Sequence, residues 1–188
     1  MPSYRVVSDG VEAYEMQQGD TRGVDINFFD FTYDGDVSNT HLSGGIGQLI
    51  DFEEGGDDFR HDPQKTGRRG YEWVGWKNDS TSATNSPPVE LTFTFDTIRN
   101  FSHVSIHTHN NFNKDISLFR EARVFFSIAG EHYTDSPIIY RPLPDTVFER
   151  PRYVDVVIPH KVGAFAKVQL FYADRWIMIS EVRFINGK

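Results

Sequence analysis

The sequence has no cysteine at all among 188 residues, and only three methionines. No disulfide can staple the chain, no thiolate can act as nucleophile or soft-metal ligand, and none is available for redox chemistry. A chain of this length needs no staple, because it can bury about 70% of its unfolded surface. No apolar run approaches the ~20 residues of a membrane-spanning helix, and Met1-Pro2-Ser3 is not followed by the apolar stretch of a signal peptide. Positive charge is also scarce: 19 Lys and Arg stand against 27 Asp and Glu, a net charge of −8. That balance repels phosphate backbones and argues against nucleic acid as a partner. G-x-S-x-G is absent, so there is no nucleophile elbow. What the chain has in quantity is aromatic area, with 16 Phe among its residues, enough for a sheet-on-sheet core.

Period-two alternation dominates the pattern. Residues 89–96, VELTFTFD, alternate apolar and polar, as a half-buried strand requires. Val104, Ile106 and Thr108 alternate with His103, Ser105, His107 and His109. Further strands are expected at 24–33, 119–128, 153–158, 165–172 and 176–185. Turn-rich stretches at 78–88, 110–115 and 129–137 separate them, and 78–88 is expected to be mobile. No helix longer than about two turns is evident, so the chain should be a sandwich, jelly roll or barrel, a single domain over 1–188.

The most informative stretch is 44–76, GGIGQLIDFEEGGDDFRHDPQKTGRRGYEWVGW. Asp51, Glu53, Glu54, Asp57 and Asp58 fall within eight positions, with one glycine pair before them and a second inside the run. Neither a core strand nor an ordinary helix tolerates that composition. A loop of this kind offers carboxylates, amides and, through its glycines, convergent carbonyls, which are the donors hard cations such as calcium use. Gln48 and Asp51 are spaced so that one turn aims both at a common point. Tyr71 and Trp73, two apart on an extended segment, point their carbonyls the same way. The basic run Arg60, His61, Lys65, Arg68 and Arg69 reads as a solvated face.

GGIGQLID, GGDDFR and GYEWVGW, with FTYDG before them, RNFSHVSIHTHNNF in the middle and FYADRWIMISEVRF at the end, resemble the second extracellular, discoidin-like domain of the discoidin domain receptors. Those are collagen-activated receptor tyrosine kinases. The strings keep their order over about residues 24–184. The resemblance implies an all-β, discoidin-type jelly-roll sandwich. It implies calcium held by the side chains of Gln48, Asp51 and Glu181 and by carbonyls of Phe29, Glu53, Tyr71 and Trp73, with Ser180 contributing. It also implies an extracellular, non-enzymatic module on a plasma-membrane receptor. Its neighbour would be the receptor's discoidin domain, collagen would be met only through that domain, and the full receptor would be a dimer. The resembled domains carry cysteines where this chain has Thr108, Val124 and Val168. Val124 and Val168 would replace a bridged pair, marking a divergent member. Sequons at Asn78 and Asn100 fit a secreted, glycosylated surface.

Two other readings belong beside this one. A galactose-binding-like carbohydrate module would need Trp73, Trp76 or Trp176 as an open stacking platform. Trp76 and Trp176, flanked by apolar residues, are expected in the core instead. A jelly-roll metalloenzyme would use His103, His107 and His109, but no Glu follows His109 before Glu121, and the alternation places the three on a polar, solvent-facing side.

Overall fold

A computed structural model describes residues 10–62, 65, 67–79 and 85–187. Among these, eleven strands form: β1 Val11–Gln17, β2 Thr21–Arg22, β3 Ile26–Asn27, β4 Asp36–Ser38, β5 His41–Gly45, β6 Val74–Lys77, β7 Val89–Thr108, β8 Glu121–Ser127, β9 Ile138–Tyr140, β10 Arg152–Phe171 and β11 Trp176–Asn186. Only short 3-10 turns, such as Gln48–Ile50, interrupt them.

Two strands of 20 residues organise the molecule. The first part of β7 pairs with β1, and its last part pairs with β11. β10 follows β7 throughout, but its register slips between Val157 and Lys161 and again between Gly163 and Phe165. Those irregularities are bulges, which bend a strand and let it leave one sheet for another. One layer therefore runs β4-β5-β1-β7-β10-β8-β9, and β6 and β11 continue from the far half of β7 as the second. All the pairings are antiparallel apart from an isolated bridge. The fold is the expected all-β jelly roll.

Between the layers lie the phenylalanines. Phe184 of β11 meets Phe93 and Phe95 of β7 edge-to-face at 4.9 and 5.0 Å, and Phe101 stacks on Phe126 at 5.1 Å. Such offset and T-shaped pairs add to the area they bury. A smaller apolar cluster of Phe28, Phe59, Trp73, Ile116, Trp176 and Met178 lies under the acidic loop. Trp76 and Trp176, 3% and 4% exposed, are core residues as expected. Val124 and Val168 are direct register partners on β8 and β10, both buried. Thr108 is fully buried, its hydroxyl donating to the Met178 carbonyl at 2.9 Å.

Three expectations need correction. Residues 24–33 are not one strand. Only Ile26–Asn27 pairs as one, because Phe28 then turns its backbone to Asp20 and Gly75 (N–H donating to the Asp20 carbonyl at 3.1 Å, C=O accepting from Gly75) while Asp30 turns into the core. The separate strands at 153–158 and 165–172 are one bent strand, β10. His107 and His109, expected to face solvent, are 5% and 1% exposed, because the acidic loop lies over them. The expected mobile stretch at 78–88 includes residues 80–84, which lie outside the described residues.

Candidate metal centre

The acidic loop is fixed by many short ties. The Gly55 N–H donates to Ser180 Oγ at 3.0 Å and the Gly56 N–H to Glu72 Oε2 at 3.1 Å. The Trp73 indole N–H donates to the Gly56 carbonyl at 3.1 Å. Gly55 is required by contact: a Cβ there would stand 2.3 Å from the Trp73 ring. His109 Nε2, 2.7 Å from the Asp57 carbonyl, must be the protonated nitrogen. His107 stacks on Trp73 and lies 2.6 Å from Ser180 Oγ. Burial holds both imidazoles below their ordinary pKa. They are structural pins for the loop. Among the described residues no three His, Asp or Glu side chains form a group that could hold a metal, and His103, His107 and His109 make none.

Beside the loop is a cavity of about 50 Å³ lined by Gln48, Asp51, Glu53 and Tyr71, together with Glu54, Glu72 and Ser180. That is room for little more than one water or one ion, since a water occupies about 30 Å³ of liquid. Gln48 is presented by its 3-10 turn and buried. Its Oε1 accepts the Phe31 N–H at 3.1 Å, leaving one lone pair, and its Nε2 donates to the Tyr71 carbonyl at 2.9 Å. Behind it, the buried Asp30 accepts the Gln48 N–H at 3.1 Å and the Tyr14 hydroxyl.

Glu181, on β11, is fully buried. Its Oε1 accepts the Phe52 N–H at 2.9 Å. Its Oε2 has no hydrogen-bond partner, and Arg183 Nε is 3.6 Å away. Burial first, then the neighbouring Asp51 carboxylate, pushes Glu181 up to about 9. Two carboxylates sharing one place cannot both ionise without a cation.

The expected set is thus gathered in part. Gln48, Asp51, Glu53, Tyr71 and Ser180 line one wall, and Glu181 joins them through Asp51. Phe29 and Trp73, expected to give backbone carbonyls, are not among the residues that line the cavity. Glu54, Glu72 and the Asp30–Tyr14 pair were not anticipated. The acidic run signalled Glu54, and Glu72 lies between two expected carbonyl donors. Nothing local to Asp30 tells that it is buried. Of the basic run, Arg60 pairs with Asp58 at 3.0 Å and Arg69 with Asp25 at 2.9 Å, both exposed, as a solvated face should.

The family profile of the discoidin domain-containing receptor 1/2 DS-like domain matches residues 10–186. The chain belongs to that family. Among its relatives, the discoidin domain-containing receptor tyrosine kinase B of Caenorhabditis elegans is 35% identical over 179 residues, 94% of this chain and 21% of that protein. The human epithelial discoidin domain-containing receptor 1 is 30% identical over 181 residues, 95% of this chain and 20% of that protein. The chain therefore spans about a fifth of the length of the curated relatives it matches. What it matches is the extracellular DS-like domain of a receptor tyrosine kinase, not the kinase itself. In fold, the DS-like domain is similar to the CBM32-1 and CBM32-2 domains of Clostridium perfringens ZmpB (TM-score 0.55, 12% identity, 98% of this chain and 37% of that chain). It is also similar to CBM32-3 of a family 31 glycoside hydrolase from the same organism (TM-score 0.53, 10% identity, 96% and 94%). At such identity the likeness shows the jelly roll alone.

Proposed function

We propose that this DS-like domain is a calcium-stabilised structural and regulatory module of a collagen-activated receptor tyrosine kinase. In this reading it sits on the extracellular side of the plasma membrane, packs against the receptor's discoidin domain, and links that collagen-binding domain to the membrane within a receptor dimer. It meets collagen only through its neighbour and has no nucleic-acid partner. The observation that carries the calcium reading is the Asp51–Glu181 pair beside a cavity of ionic size, with one Glu181 oxygen lacking a hydrogen bond. The residues lining it can offer oxygen donors, namely the Gln48 amide, the Asp51 carboxylate and the backbone carbonyls of Tyr71 and Glu53, with the Glu181 carboxylate beside Asp51. That is the chemistry of a hard cation. Phe29, Trp73 and Ser180 complete the set that the family resemblance suggests, by carbonyl or hydroxyl oxygen. Calcium would supply the charge that lets both carboxylates ionise, and would fix the acidic loop on β11.

Thermal melting of the domain with calcium and with excess EGTA tests this, because an ion that binds only the folded state raises its stability by mass action. A higher midpoint with calcium is expected; an unchanged midpoint would remove the proposal. Asn100, half-buried on β7, and Asn78, 5% exposed, are the proposed glycan acceptors, tested by the mobility shift on glycosidase treatment of secreted protein. The galactose-binding-like alternative lacks support from the site: Trp73, Trp76 and Trp176 are all buried, and none has an open face on which a sugar ring could stack.

A further inference from the structure

Glu181 and Arg183 stand two apart on β11, so their side chains leave the strand on one face. Their register partners on β7 are His107 and Ser105, and Tyr153 of β10 pairs with His107 from the other side. Arg183 Nε lies 3.6 Å from Glu181 Oε2. That is ion-pair range but too long for a hydrogen bond, and both atoms are buried without a hydrogen-bond partner. The other end of the guanidinium reaches Glu54 Oε1 at 3.4 Å, an oxygen that also accepts the Tyr153 hydroxyl at 2.7 Å. Among the described residues Arg183 is the one cation in an ion pair with either Glu54 or Glu181.

Two rings hold the guanidinium in this place. Its central carbon is 5.0 Å from the Tyr153 ring and 5.9 Å from the Phe52 ring, within the range of cation–π attraction. Phe52 does this from a φ of 67°, a region that bulky side chains rarely adopt. The same turn delivers the Phe52 N–H to Glu181 Oε1. One strained residue therefore ties the acidic loop both to the buried carboxylate and to the cation beside it.

We propose that Arg183 is a resident cation that sets the calcium affinity of the Asp51–Glu181 site; the inference rests on the calcium reading above. A guanidinium keeps its charge at every working pH and can face two carboxylates at once. Without calcium it is the positive charge beside the carboxylates, and it keeps the loop tied to β11 through Glu54. With calcium it stands near a divalent ion of its own sign and opposes it. The site is therefore weaker than its oxygen donors alone would make it, and the loop stays anchored when the ion leaves.

Calorimetric titration of calcium at low ionic strength into wild type, Arg183→Met and Arg183→Lys tests this. Met keeps an apolar stem against Tyr153 but carries no charge. Arg183→Met should bind calcium roughly tenfold more tightly than wild type, and the gap should shrink as salt is added. Arg183→Gln, a second neutral variant, should tighten binding likewise, whereas Arg183→Lys, which keeps the charge, should bind as wild type does. Melting in EDTA and in calcium gives a second readout. Arg183→Met should melt below wild type in EDTA, and calcium should raise its midpoint by more than it raises that of wild type. A residue that only packs would lower both midpoints equally and leave the affinity unchanged. Equal or weaker calcium binding by both neutral variants, or tightening that Arg183→Lys reproduces, would overturn this proposal and leave the calcium reading standing. Absence of calcium binding from wild type and neutral variants alike would remove both.

Discussion

Replacing Glu181 by Gln isolates the charge at the centre of the site. Glu181 is fully buried, and burial with Asp51 beside it pushes the carboxyl up to about 9, against 4.5 in an open chain. In calcium-free protein the native group therefore keeps its proton across neutral pH, whereas the unfolded one loses it. The folded state binds more protons, so stability is full below pH 4.5 and is lost as pH rises toward 9. Each pH step costs about 1.4 kcal/mol for one such group. Between pH 5 and pH 7 the loss is about 3 kcal/mol, which for a chain of this size lowers the midpoint by about 6–12 °C. Gln has no proton to lose and keeps an acceptor for the Phe52 N–H. Urea unfolding in EDTA at pH 5, 6, 7 and 8 should show wild type falling relative to Glu181→Gln by that amount. With saturating calcium the order should invert at neutral pH, because the ionised pair then holds the ion. Parallel pH profiles for the two proteins in EDTA would refute the reasoning.

The register pairing of Val124 with Val168 predicts that Val124→Cys/Val168→Cys oxidises readily and raises stability by about 2–4 kcal/mol, read by thiol titration and by melting with and without reductant. Trp176, 4% exposed and edge-to-face with Phe28 at 5.4 Å, should cost about 3–5 kcal/mol when truncated to Ala, measured by chemical unfolding. A small effect would place the ring outside the core. The domain alone should show no saturable binding to triple-helical collagen peptides in a solid-phase assay, since its role in the proposal is to support the collagen reader. Micromolar binding lost on denaturing the triple helix would reverse that assignment.

The strands that the alternation made visible were those with one face in the core, such as residues 89–96, where Val89, Leu91, Phe93 and Phe95 are all buried. The pattern could not show that β7 runs on through the polar segment at 96–100, or that β10 bends without ending at Pro159 and His160. Bulges preserve pairing while breaking periodicity. Strands β1, β2, β4, β5, β6 and β9 were missed: five of them are five residues or shorter, β9 is also largely exposed, and the longer β1 is broken by register shifts against both of its neighbours. Of the candidate site, Gln48, Asp51, Glu53 and Tyr71 were legible because the acidic loop and its spacing announce them. Glu181 entered only through family resemblance, because a lone Glu in an apolar strand carries no local signal. The buried histidines were misread for a related reason: alternation tells which residues share a face, not what the chain later lays over it.

Calorimetric titration of calcium into chelator-stripped domain addresses the central claim most directly. The account predicts one site per chain with a dissociation constant on the order of 10⁻⁴ to 10⁻³ M or tighter, the range of extracellular modules, weakened at least tenfold by Asp51→Asn, which removes a formal charge from a hard-cation donor. No binding heat, with no calcium by elemental analysis and an identical response from Asp51→Asn, would contradict it.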